Sequence, residues 1–201
     1  MPSQVERSTA TRRRILDAAR ELFAERGWAA TSIDEVVGAA GVTKGALYHH
    51  FRDKTDVLRA VYEDQEQRSI EALLAMGVEY DDPLDALRAG CRSFLTACLD
   101  PTFRRIALVE APAGLGWEEW REIDARYGFG LLLAGVEAAM DGGRLRRMPL
   151  EPVAHLLLAA VSEAALLIGR AEDPEADFDE IAGAFDALLD GLETPDPRIS
   201  A

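Results

Sequence analysis

Thr43, Lys44, Gly45, Tyr48 and His49 fall within seven consecutive residues. All but the glycine carry a group that donates hydrogen bonds to a phosphate oxygen or a base edge. Gly45, with no side chain, lets the backbone approach another molecule closely. Val42, Leu47 and Phe51 interleave with them at spacings of five and four, so a helix beginning at Lys44 has one polar and one apolar face. Thr31 and Ser32 stand where a preceding helix begins, and its free amides and dipole attract an anion. Lys54 opens the helix that follows and is placed to clamp a further phosphate. The chemistry this implies is nucleic-acid binding. His49 and His50 are adjacent, point about 100° apart on a helix and cannot share a metal ion. Arg12, Arg13 and Arg14 add a basic run, either a solvated face or a phosphate or minor-groove contact.

Positioning such side chains requires two short helices flanking a tight turn. The stretch from Thr31 to Lys54 has that form: Thr31 or Ser32 caps a helix ending near Ala40, Gly41-Val42-Thr43 turns, and Thr43 caps a helix ending near His50. The second helix of such a pair enters the major groove. The rest of the chain is helical too, rich in Ala, Leu, Glu and Arg with little β-branched alternation. Glycine, proline and aspartate punctuation predicts an all-α fold of about nine helices. They run from about Thr9 to Arg26, the two short helices, Asp53 to Met76, Pro83 to Leu99, a short one from Asp100 to Glu110, Trp117 to Met140, Glu151 to Gly169 and Asp177 to Leu192. Ala111 to Gly116 reads as a loop and Thr194 to Ala201 as a frayed tail. The expected domains are a DNA-binding head over 1–55 and a body over 56–201.

The net charge of −14 argues against DNA until it is divided. Residues 1–60 hold ten Lys/Arg and eight Asp/Glu, so the head is mildly basic and the body strongly acidic. Such a chain meets phosphates head first. No apolar run approaches the roughly 20 residues of a membrane span, and no secretory signal stands at the N-terminus, which predicts a cytoplasmic protein without a membrane partner. Cys91 and Cys98 on one helix lie about 10 Å apart, too far for a disulfide between them. HExxH, GxSxG, P-loop and CxxC patterns are absent, so no catalytic residue, metal or cofactor is expected.

Ile15, Ala18, Ala19, Leu22, Phe23, Gly27, Thr31, Ile33, Ala39-Ala40-Gly41-Val42, Lys44-Gly45, Leu47-Tyr48, His50-Phe51, Lys54 and Leu58 together resemble the DNA-binding region of the TetR family of bacterial repressors. The likeness covers about 9–62. It implies a homodimer on operator DNA, a C-terminal ligand-sensing domain, and release of DNA when a small molecule binds. Trp28 departs from the smaller aromatic usual there, and Val37-Gly38 from Ile-Ala.

In the body, Phe94, Cys98, Phe103, Trp117, Trp120 and Tyr127 have the make-up of an apolar small-molecule site, with Arg105, Glu110 and His155 to orient a ligand; the alternative is plain core. The last two helices, about 151–192, are too apolar for an exposed surface. Their Ala and Gly content allows close approach, which suits a four-helix dimer interface. Two other readings stay open: an α-helical enzyme with a basic extension, and a DNA-binding protein that has no effector or acts as an activator.

Overall fold

The computed structural model describes residues 3–75 and 80–195. Helix α1 (Gln4–Arg26) starts five residues before the expected Thr9, because Ser3 and Glu6 form a reciprocal capping box upstream of the apolar stripe. Ser32 and Glu35 form a second box that starts α2 (Ile33–Ala40), so the cap is Ser32 and not Thr31. Thr43 caps α3 (Lys44–His50) by accepting from the Ala46 amide. Helix α4 follows (Lys54–Ala75); its expected end at Met76 lies outside the described residues, as does most of the expected frayed tail. Asp82 caps α5 (Pro83–Ala97), with proline in the first turn where its missing N–H costs nothing.

The expected loop at 111–116 is instead helix. Helix α6 (Pro101–Arg105) runs into a π turn (Ile106–Glu110) and on into α7 (Ala111–Leu115). The Ala111 N–H reaches back to the Ile106 carbonyl, the five-residue spacing of a π turn. Pro112 has no N–H to give the next carbonyl, Ala107, and the Trp120 indole N–H donates to it at 2.9 Å. Turn-like composition is overruled by burial: Ala111 is fully buried, and Gly114 lies so close to Leu58 and the Trp28 ring that a Cβ has no room.

Helices α8 (Trp117–Asp141), α9 (Leu150–Arg170) and α10 (Pro174–Asp190) complete the fold. Helix α10 begins before the expected Asp177 because Asp173 caps it and Pro174 fits its first turn. Taking α6 through α7 as one run, the described residues form nine helical segments and no strand. One isolated bridge pairs Leu145 with Glu193. Contrary to the sequence expectation, α9 is long and apolar enough to cross a membrane by composition, with a mean hydropathy of 1.7 over its best window, half of which is buried in the protein.

The chain divides into two compact units, Met1–Gln67 with Asp100–Glu122, and Arg68–Leu99 with Ile123–Ala201. The first packs Ile15, Leu16 and Phe23 of α1 against Val36, Leu47, Phe51, Val57 and Leu58, and Ile106 of the π turn joins the same core. In the second, the buried residues include Leu84, Leu87 and Leu95 of α5, Leu157, Val161 and Ala165 of α9, and Phe185 and Leu189 of α10. Arg88 donates to Asp190 and Glu193, and Arg92 to Asp186, tying α5 to α10. Cys91 and Cys98 are both buried thiols outside any disulfide, and burial pushes the Cys91 thiol up to about 12.

Candidate nucleic-acid interface

The turn between α2 and α3 depends on Gly41, whose φ of 61° is left-handed. The Arg14 guanidinium of α1 donates to the Gly41 carbonyl at 2.9 Å, and a Cβ at Gly41 would meet that group at 2.7 Å. Gly41→Ala therefore combines left-handed strain with displacement of Arg14. It is expected to cost about 1–2 kcal/mol, read as a fall of several degrees in melting temperature; an unchanged melt refutes this account of the turn.

Helix α3 turns Leu47 inward, where it is fully buried, and Phe51 just beyond its end is buried as well. Outward, Thr43, Lys44, Gly45, Tyr48 and His49 are exposed, Tyr48 by 49%. A Cβ at Gly45 would meet nothing nearer than its neighbour's Thr43 hydroxyl at 4.0 Å. Nothing inside the protein calls for glycine there, although glycine within a helix costs up to about 1 kcal/mol. The Lys44 ammonium sits 2.9 and 3.2 Å from the two carboxylate oxygens of Asp34 on α2, and this hydrogen-bonded partner raises its pKa.

Two sequence-expected contacts are turned to internal use. The Thr31 side chain is fully buried and its hydroxyl donates to the Gly27 carbonyl at 2.8 Å, so it does not face an external phosphate. The Lys54 ammonium donates to the carbonyls of Trp28, Ala29 and Thr31 and lies 4.6 Å from the centre of the Trp28 ring. Its donors and its charge hold the α1–α2 connection. Ser32 stays at the exposed start of α2, its N–H and hydroxyl both bonded to Glu35. Of the basic run, Arg13 pairs with Asp17 and Asp64, Arg14 holds Gly41, and Arg12 lies over Phe51.

His50 is half-buried at the end of α3. Burial lowers its pKa below the ordinary 6.5, and the neighbouring His49 and Arg12 lower it further. The folded head thus favours neutral His50, a contribution complete above about pH 6.5 and lost as pH falls through the lowered value. Urea midpoints are expected to drop more between pH 7.5 and 5 for wild type than for His50→Gln; equal drops refute it.

Residues that the sequence did not single out for this unit also shape it. The Glu110 carboxylate, 6% exposed on the π turn, accepts from the Trp28 amide at 2.7 Å and from Arg105 Nε at 2.6 Å. Arg14 carries no sequence signal beyond its place in the basic run, and nothing in the sequence links it to Gly41 or Asp34 to Lys44. The residues expected to line a ligand site are divided between the units. Phe103, Arg105, Trp117 and Trp120 belong to the first, where Trp120 is 2% exposed under the π turn and Trp117 is at the surface with its ring 4.8 Å from that of Trp120. Phe94, Cys98, Tyr127 and His155 belong to the second, where exposed His155 stacks on Phe129 at 4.2 Å.

Residues 15–61 match the family described as bacterial regulatory proteins, tetR family, and residues 84–192, more than half of the chain, match the tetracyclin repressor-like C-terminal domain. The Tn10 TetC protein of Escherichia coli is 32% identical over 154 residues, 77% of this chain and 78% of that protein. The crystal structure of a TetR-family transcriptional regulator from Pectobacterium atrosepticum superposes with a TM-score of 0.83 at 31% identity, covering 96% of this chain and 99% of that one. RolR, solved in complex with its ligand resorcinol, shares the fold at 21% identity and a TM-score of 0.71 over 94% of this chain and 90% of its own. With both its head and its body matched in this way, the chain belongs to the TetR family of transcriptional regulators.

Proposed function

We propose that this chain is a cytoplasmic homodimeric repressor that binds a palindromic operator through α3 and leaves it when a small molecule occupies the C-terminal domain. The observation that carries the reading is the two-sided α3, with Leu47 locked in the core and Thr43, Lys44, Gly45, Tyr48 and His49 left outside on a helix of groove-fitting size. Ser32 at the start of α2 is the neighbouring phosphate contact, the phosphate taking the place that the Glu35 carboxylate holds on its N–H and hydroxyl.

The α9–α10 surface supports the dimer. Leu156, Leu167 and Leu188 are exposed there, and a groove of about 630 Å³ between the two helices is lined by Ala160, Leu167, Ile181, Ala184 and Leu188 among others. Pairing this face with its copy makes a four-helix bundle, and the two half-sites of a palindrome call for two α3 helices about one DNA turn apart, roughly 34–36 Å, or somewhat more. The effector acts by binding better to a form of the dimer with the wrong separation, so operator affinity falls by the ratio of its affinities for the two forms.

The test is fluorescence anisotropy on DNA upstream of the chain's own gene, across a salt series and then with candidate effectors. Tight binding with a steep negative slope of log affinity against log salt is expected, followed by release with at least one metabolite. Failure of wild type to bind any DNA at low salt overturns the DNA reading. Binding that no effector changes overturns the release mechanism alone.

A further inference from the structure

Asp34 and Lys44 stand on the first turns of α2 and α3, and both are well exposed, with side-chain accessibilities of 73% and 52%. An exposed ion pair adds little to stability. A carboxylate beside the groove-facing helix weakens attraction to every phosphate it approaches. An acid in the first turn of α2 gains from the helix dipole, and its bond to Lys44 sets a donor and an acceptor side by side on the exposed surface.

We propose that the Lys44–Asp34 pair reads a guanine–cytosine base pair in the major groove of the operator. Seen from that groove, guanine offers two acceptors, O6 and N7, and cytosine offers the N4 donor beside O6. Guanine O6 and cytosine N4 are joined by a base-pairing hydrogen bond of about 2.9 Å. Lys44 Nζ and the nearer Asp34 oxygen are also 2.9 Å apart, with the opposite polarity. The ammonium donates to O6 and N7, and the carboxylate accepts from N4, closing a ring of four polar groups. An adenine–thymine pair in the same orientation puts the adenine N6 donor against the ammonium and the thymine O4 acceptor against the carboxylate. Reversed, it offers thymine O4 to the ammonium and adenine N6 to the carboxylate, and only the second acceptor, N7, is lost. On an A·T or C·G pair the order is inverted and the carboxylate meets an acceptor instead of a donor, so the pair raises discrimination while its charge lowers non-specific affinity. Tyr48, one turn on from Lys44 along the exposed face, is left to contact a neighbouring position.

The proposal rests on α3 being the DNA-reading helix. The experiment is selection from a random duplex pool with the full chain, followed by affinities for G·C against A·T at each enriched position. It compares wild type, Asp34→Asn, Lys44→Gln and the control Glu25→Gln, an exposed acid on α1. Wild type and the control are expected to enrich one G·C pair whose replacement by A·T weakens binding about tenfold or more. Asp34→Asn and Lys44→Gln reduce that preference to less than about threefold, and Asp34→Asn binds random DNA more tightly than wild type. A ratio of affinities on two DNAs does not depend on how much of a variant is folded. Asp34→Asn with the full wild-type preference at every position overturns the proposal, as does an A·T pair at the position that depends on Asp34. Wild type that enriches no sequence overturns the DNA reading and this proposal together.

Discussion

Lys44→Ala combined with Tyr48→Ala is expected to leave the fold intact and to weaken operator binding at least about a hundredfold. Both side chains are exposed, and neither belongs to the core that holds Leu47 and Phe51. Each base or phosphate contact in such an interface contributes about 1–3 kcal/mol. Two contacts on each of two half-sites therefore place the loss at about 4 kcal/mol even at the low end, which is nearer three orders of magnitude. Losing Lys44 also strips Asp34 of its partner and leaves a bare carboxylate toward the DNA. Anisotropy on the operator reads the effect, and an unchanged melting curve shows that folding is not its cause. Binding within threefold of wild type, with folding intact, removes α3's outer face from the proposed interface.

Glu110→Ala is expected to lower the first unfolding transition by several degrees, corresponding to about 1–3 kcal/mol. The carboxylate is buried and satisfies the Trp28 amide and Arg105. Its removal takes the acceptor from the part-buried Trp28 N–H. Gly27, with φ of 88°, packs directly against the same carboxylate, so no nearby side chain is available to take its place. Glu110→Gln keeps an acceptor for Trp28 while losing the charge that draws in Arg105, and is expected to recover a large part of the loss. Calorimetry on the three proteins separates the cases; an alanine variant that melts with wild type refutes the role given to Glu110.

Both experiments probe the first compact unit, yet the sequence speaks very differently of the two positions. Lys44 and Tyr48 were legible because their meaning is local. A cap at Thr43, an apolar residue at Leu47 and polar residues between them define a helix and its two faces within eight residues. The link from Trp28 to Glu110 spans 82 residues and has no local signature. The same contrast separates the correctly read α2, α3 and α5 from the misread 111–116. Alanine, proline and glycine there describe a loop by composition, but Ala111 lies buried, Gly114 packs under Trp28 and Leu58, and Trp120 fills the hydrogen bond that Pro112 cannot make.

By itself the sequence determined that this chain is all-helical, that its basic head carries a helix-turn-helix, and which face of α3 is polar. These follow from periodicity, caps and turn residues, which act over one or two helical turns. Only the tertiary structure decided what the polar groups do. Thr31 and Lys54 stand at sequence positions suited to phosphates, yet one is buried on Gly27 and the other is spent on three carbonyls and the Trp28 ring. Lys44, alike in type, remains outside with Asp34. A donor's availability depends on which acceptors the rest of the chain brings within about 3 Å of it, and that is set by packing between segments far apart in sequence.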